Sequence, residues 1–249
     1  MDWVEEFYGA QNNWFGVYLG DVDESHQERA QLVEDMSREG HKSILELGAG
    51  GGQTAIAMAQ IGNNVTMVEL LEDSASHALK LVEQLDVKNM EVVHGDFYKV
   101  DFDKRFDVIC YFDSFGIGTD EDQQRLLKRI EKWLKPDGCV IIEVGATWYW
   151  SGVAKGKEMD LGDCIRRYEF DAIGCRLIDK WWLKEKPDYV VNQSLRCYTP
   201  ADFQMLLKGT GLKFDRLQPG GKVDYDLMEF DKVAPLDEAM TYYARVIKL

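Results

Sequence analysis

Ser43-Ile44-Leu45-Glu46-Leu47-Gly48-Ala49-Gly50-Gly51-Gly52-Gln53-Thr54-Ala55-Ile56-Ala57-Met58-Ala59, followed by Val65-Thr66-Met67-Val68-Glu69, is the stretch that decides how this chain folds. A short apolar run meets a cluster of glycines, an Ala-rich helical segment follows, and a second β-rich run ends in an acid. This is the first βαβ unit of a doubly wound sheet, with its ligand outside the carboxyl ends of the strands. Glycines let a backbone approach a ligand with no Cβ in the way. The helix opening near Gly52 points free N–H groups at the same place. Glu69 closes the second strand about 20 residues after the first glycine, where a carboxylate can accept hydrogen bonds from a ribose diol.

Two nucleotide-type ligands use such a unit. The dinucleotide fingerprint G-x-G-x-x-G requires glycine at position 53, where this chain has Gln53. It also has no use for an acid two residues before the first glycine, where Glu46 stands and would repel a pyrophosphate. The pattern Glu46-Leu47-Gly48-Ala49-Gly50-Gly51-Gly52 resembles the first motif of the class I S-adenosylmethionine-dependent methyltransferases, E/D-x-G-x-G-x-G.

Outside this unit the chain continues in kind. Residues 1–42 are acidic and aromatic, with Trp3, Phe7 and Tyr8 spaced for one helical face and a second helix from Glu24 to Glu39. Strands are expected at Ser43–Leu47, Asn64–Glu69, Met90–His94, Phe106–Phe112 and Cys139–Val144, the last entered through the turn Pro136-Asp137-Gly138. Helices are expected at Gly52–Ile61, at Asp73–Leu85, and after the N-cap Thr119 with Asp120, Glu121 and Asp122 in its first turn. Strands apolar on both faces that alternate with helices imply a parallel sheet covered on both sides. After Gly145 the pattern changes to an aromatic loop, Trp148-Tyr149-Trp150, and three strands at 166–170, 175–183 and 189–197 in an antiparallel meander. Thr199-Pro200-Ala201-Asp202 opens a last helix. Leu212–Leu217 and Met240–Leu249 are the final strands, flanking an irregular stretch at 219–238.

The resemblance covers about Ser43–Val144 by motif and Thr199–Leu249 more loosely. It implies a seven-stranded sheet in the order 3-2-1-4-5-7-6 with strand 7 antiparallel, in a single methyltransferase domain over residues 1–249. Within it, 1–42 is a cap, 43–145 the cofactor-binding core, 146–198 an aromatic loop with an antiparallel insertion, and 199–249 a helix and hairpin. The meander resembles the small-molecule branch of the family. Carried over motif by motif, the resemblance sets Gly48, Gly50 and Gly52 against the methionine part of S-adenosylmethionine and Glu46 at its ammonium. Glu69 would take the ribose hydroxyls, Leu70 the adenine face, Asp96 the adenine amino group with Phe97 beside the ring, and the Phe112 carbonyl the ammonium.

A sulfonium methyl is already activated, so alignment and exclusion of water supply much of the rate, and a base helps when the acceptor arrives protonated. Asp113, Tyr18, Trp148 and His94 are the catalytic candidates, with Tyr8 and Tyr149 as further orienting groups. The expected acceptor is a small-molecule N or O nucleophile, flat or amine-bearing, between the cap aromatics (Tyr8, Trp14, Tyr18) and the loop aromatics Trp148, Tyr149 and Trp150. A net charge of −15 without a Lys/Arg cluster argues against a nucleic-acid or anionic-membrane partner. Five cysteines without C-x-x-C spacing form neither a disulfide framework nor a zinc site, and no metal-ligand spacing occurs. The absence of an apolar leader or membrane-length run leads to the expectation of a cytoplasmic protein. Two other classes fit the same unit: a nicotinamide oxidoreductase, opposed by Gln53 and Glu46, and a non-catalytic partner protein of methyltransferase fold, opposed by the intact set Glu46, Gly48, Gly50, Glu69 and Asp96.

Overall fold

The computed structural model describes residues 2–225 and 227–249. Its centre is a sheet in which β1 (Ser43–Leu47) pairs in parallel with β2 (Asn64–Glu69) and β4 (Phe106–Tyr111). Outward, β2 pairs in parallel with β3 (Met90–His94), and β4 with β5 (Leu134–Gly145). The far edge is built by β13 (Thr241–Lys248), antiparallel to β5, and β10 (Leu212–Pro219), antiparallel to β13. The order β10-β13-β5-β4-β1-β2-β3 is the expected 3-2-1-4-5-7-6.

Side-chain alternation along β1 divides the core. Leu45 and Leu47 join α5 (Asp120–Trp133) and α6 (Pro200–Leu206) on one face, through Leu126, Ile130, Trp133 and Phe203. Ile44 joins α2 (Glu24–Met36), α3 (Gln53–Gln60) and α4 (Glu72–Gln84) on the other, through Val33, Met58 and Ala78. Glu46 shares the parity of Ile44, so its carboxylate is carried into the second, apolar face. Thr119 and Thr199 each cap their helix in a reciprocal box with an aspartate three residues on, as their sequences require. At the opposite end of the sheet Asp107 ties strands together: it accepts from Ser43 N (2.9 Å) and Lys135 Nζ (2.8 Å) and pairs with Arg38.

The turn expected at Pro136–Gly138 is absorbed into β5 as an irregularity. Phe106 pairs with Leu134 and Val108 with Cys139, so three extra residues bulge outward with Pro136 and Asp137 exposed. The insertion has four strands rather than three: β6 (Glu158–Asp160), β7 (Cys164–Asp171), β8 (Arg176–Leu183) and β9 (Val191–Arg196), all antiparallel. Part of the stretch expected to be irregular forms the hairpin β11 (Lys222–Asp224) and β12 (Glu229–Asp231). The inner face of the four-stranded sheet turns toward the carboxyl ends of β4 and β5, and α1 (Asp2–Phe15) packs along β9. Among the described residues no helix is long and apolar enough to cross a membrane.

Gly52, expected to face the cofactor, faces the core. A Cβ there would lie 2.7 Å from Ala78 Cβ and 3.0 Å from Met67 Sδ, and its φ of +82° belongs to glycine. Gly52→Ala is therefore expected to destabilise the fold by about 1–3 kcal/mol, read as a lower denaturant midpoint at constant m. An unchanged midpoint would show that this contact does not constrain residue 52.

Candidate functional site

The loop from Gly48 to Gly52 leaves β1 and is fixed by its neighbour. Gly48 N and Ala49 N donate to Val68 O at 2.9 and 3.1 Å. Gly50 N donates to Glu69 Oε2 and Leu71 N to Glu69 Oε1, both at 2.8 Å. Burial pushes the Glu69 carboxyl upward from its usual value, and these backbone donors pull against that rise. A cleft of about 100 Å³ opens in front of the loop, lined by Gly48, Gly50, Glu69, Leu70, Asp96 and Phe97, with Tyr18 and Asp113 at its other side. Asp96 is set by Tyr98 N, which donates to Oδ1 at 2.8 Å, and Phe97 packs edge-on against Tyr111. A Cβ on Gly48 would meet Ser114 Oγ and Phe97 Cε1 at ordinary contact distances of 3.4 and 3.7 Å, so it is the φ of +64° that calls for glycine there.

The remaining sequence candidates lie elsewhere. Glu46 is buried behind the loop, and its Oε2 has no hydrogen-bond partner among the described residues. Burial raises its carboxyl from the ordinary 4.5 to about 8, with Arg29 opposing and Glu69 adding to the rise. The Phe112 carbonyl already accepts from Ser114 N at 2.8 Å, and its ring lies under the Arg29 guanidinium at 5.2 Å. Two catalytic candidates are corrected by their positions. His94 is exposed at the end of β3, bonded at 3.0 Å to Leu70 O, and lines neither the cleft nor the chamber behind it. Trp148 stacks on Tyr242 with ring centroids 6.5 Å apart, in the core beneath the loop. Of the other aromatics, Trp14 packs on Tyr189, Tyr149 donates to Val223 O, and Trp150 reaches the chamber.

That chamber, about 550 Å³, lies between the inner face of the four-stranded sheet, the cap and the β11–β12 hairpin. Tyr18 and Asp113 line it as well as the cleft, so they stand at the neck between the two. Asp113 has φ +66°, a left-handed conformation that aspartate tolerates better than most residues. Its N–H donates to Glu143 Oε2 at 3.2 Å, while its carboxylate makes no hydrogen bond or ion pair to a described residue. Tyr18 is held from behind: Gln53 Nε2 donates to its carbonyl at 3.1 Å and to Gly20 O at 2.8 Å.

Several charged residues here were not singled out from the sequence. Arg29 lies 3.7 Å from Glu143, which also accepts from Thr241 Oγ1 at 3.1 Å. Arg166 grips Asp179 through Nε (3.0 Å) and Nη2 (2.7 Å), with its guanidinium 4.6 Å from the Tyr168 ring and 5.0 Å from that of Trp181. The signal was present: Glu143 interrupts the apolar run Val140-Ile141-Ile142, as Glu46 interrupts β1. Arg29 keeps i, i+4, i+7 spacing with buried Val33 and Met36. Arg166 alternates with buried Cys164 and Tyr168 on an inward strand face.

Residues 44–138 match the methyltransferase-domain family. Among curated proteins the chain is 31% identical over 106 residues to a cypemycin N-terminal methyltransferase from Streptomyces, 41% of each chain. It is 34% identical over 87 residues to a tRNA (guanine-N(7)-)-methyltransferase from Corynebacterium diphtheriae, 34% of this chain and 33% of the relative. These matches span well under half of either relative. The CcbJ methyltransferase from Streptomyces caelestis superposes with a TM-score of 0.73 at 18% identity, over 99% of this chain and 97% of that one, a likeness of fold. Residues 44–138 thus carry a methyltransferase domain, and the chain as a whole shares the fold of a solved methyltransferase.

The raised carboxyl of Glu46 links stability to pH. The folded protein keeps this proton up to about pH 8, while the unfolded chain loses it near the ordinary 4.5, so the group's contribution falls as pH climbs between those values. Glu46→Gln should therefore gain on the wild type through that window, by about 1–3 kcal/mol at its upper end. Denaturant titrations across the window check this, and a gap that does not change with pH would refute it.

Proposed function

We propose that this chain is an S-adenosylmethionine-dependent methyltransferase that methylates an N or O nucleophile of a small molecule held in the chamber. The observation that carries the reading is the neck: Tyr18 and Asp113 line both the cofactor-side cleft and the chamber. The cleft fits the cofactor on two counts. Glu69 and Asp96 bring two acidic side chains to its wall, and Gly48 and Gly50, at φ +64° and +55°, keep the loop that faces it free of side chains. Glu69 would hold the ribose, Leu70 and Phe97 would enclose the adenine, and Asp96 would take its amino group. When bound, S-adenosylmethionine supplies an activated sulfonium methyl.

The protein's own contributions are placement and proton handling. Tyr18 and the aromatic chamber walls exclude water from the neck. Asp113, whose carboxylate makes no hydrogen bond or ion pair to a described residue, orients the acceptor and takes a proton from its nitrogen or oxygen. The acidic surplus of the chain and a chamber of about 550 Å³ favour a small acceptor over a polyanion. We read residues 1–249 as one methyltransferase unit working in a reducing cytoplasm, in keeping with five free thiols.

Calorimetry with S-adenosylhomocysteine tests the cofactor assignment. Glu69→Ala should weaken binding about 10–100-fold, the loss expected for charged hydrogen bonds together with a loosened loop. Unchanged affinity would remove Glu69 from the site. For the acceptor, wild-type protein with methyl-labelled cofactor should label a component of a small-molecule extract. Asp113→Asn should slow that labelling about 10²–10⁴-fold while leaving homocysteine-product affinity within threefold. Equal labelling by the variant would end the proposed role of Asp113.

A further inference from the structure

The chamber holds a second recognition point, distinct from the Tyr18–Asp113 neck, on the inner face of the four-stranded sheet. That face is apolar and aromatic except for one diagonal of polar groups. Arg166 on β7 grips Asp179 on β8, and Asp179 is the register partner of Gln193 on β9. Asp179 and Gln193 are 1% and 7% exposed. An ion pair buried this way is a poor source of stability, since well-packed apolar residues commonly do as well. Its unused valences face the chamber that all three residues line. Arg166 commits Nε and Nη2 to Asp179, leaving Nη1 without a bond to a described residue. Gln193 donates Nε2 to the Tyr8 hydroxyl, leaving its Oε1 equally free. Gln11, 4% exposed and also in the lining, has an amide oxygen with no hydrogen-bond partner among the described residues. A donor and acceptors therefore sit together around an ion pair that is already neutralised.

We propose, resting on the reading above, that the acceptor is an amine carrying a neutral hydroxyl or carboxamide. The ammonium-forming nitrogen lies at Asp113, and the second group accepts from Arg166 and donates to Gln193. A carboxylate is disfavoured at the floor because Asp179 has consumed the charge of Arg166, and at the neck because Asp113 and Glu143 repel it. Arg196, the other cation in the lining, is likewise occupied, donating to Cys197 O and lying 3.3 Å from Asp120. The aromatic walls between the two ends, Tyr168 and Trp181 among them, suit a flat or apolar spacer.

Three probes that share a spacer and differ at their ends test this by calorimetry on protein saturated with S-adenosylhomocysteine: phenethylamine, tyramine and 3-(4-hydroxyphenyl)propionate. Tyramine should bind at least fivefold tighter than phenethylamine, and the propionate at least tenfold more weakly than tyramine. In the double variant Arg166→Met/Asp179→Leu, which removes both charges together, the advantage of tyramine over phenethylamine should fall below twofold. Gln193→Leu should reduce it in the same direction, providing a second variant if the first does not fold. Affinity for S-adenosylhomocysteine should stay within threefold in both. The proposal is overturned if the propionate matches tyramine, if the hydroxyl brings no gain, if the gain survives the double variant, or if neither amine binds to cofactor-loaded protein. Failure of S-adenosylhomocysteine itself to bind would instead remove the cofactor reading, and this proposal with it.

Discussion

The bond from Gly50 N to Glu69 is the contact on which the site depends. Parallel strands end with their carbonyls and following N–H groups unpaired, and something must hold the loops that leave them. Here one carboxylate at the end of β2 takes a donor from the glycine loop with one oxygen and a donor from its own following turn with the other. The loop after β1 and the turn after β2 are thereby locked to each other before any ligand arrives. Preorganisation of this kind lowers the ordering cost of binding, and it explains why an acid was needed at the strand end as well as glycines in the loop. Burial keeps that carboxylate dry and its bonds strong, at the cost of desolvating it.

Most of the parallel sheet was legible because period and punctuation agree there. β1, β2 and β3 begin and end where their apolar runs do, and the Thr119 and Thr199 boxes fix two helix starts through purely local bonds. The cleft followed from the same logic, since strand ends in a doubly wound sheet converge by topology. What failed depended on direction rather than position. Trp148 follows β5 at the correct end of the sheet, yet its ring turns under the loop onto Tyr242, and Trp150 two residues later takes the chamber wall instead. His94 sits at the correct strand end, but its ring caps Leu70 O from outside. Period-2 arguments do not extend into an irregular turn, so sequence spacing could not decide among these aromatics.

The chamber was invisible for a different reason. Its polar groups come from α1, β7, β8 and β9, separated by long sequence intervals and joined only by antiparallel register. Arg166 and Asp179 look like ordinary solvated charges in alternating strands until the register sets them opposite aromatic neighbours on the inward face. Buried charges in such positions are uncommon without a partner or a task. The inward parity of Arg166 beside Cys164 and Tyr168 was the available clue, and it needed the sheet to give it meaning.

Residue 53 shows how the glycine motif is adapted to this fold. A dinucleotide site needs glycine there for close helix–strand packing, and this chain instead uses the glutamine side chain to fasten the cap. Gln53 holds the Tyr18 and Gly20 carbonyls, His77 also reaches Gly20 O at 2.9 Å, and Asn12 links Tyr18 N to Ser74. The segment so fastened lies directly on the loop: a Cβ on Gly51 would sit 1.9 Å from Tyr18 O. Gly51 is thus required by the cap rather than by a ligand. The glycines of the loop answer to three different neighbours: the cleft at 48, the cap at 50 and 51 with Glu69 also holding 50, and the core at 52. Because one loop satisfies all three, Tyr18 is placed at the neck by the same packing that shapes the cleft, and the two halves of the site are set relative to each other by the first turn after β1.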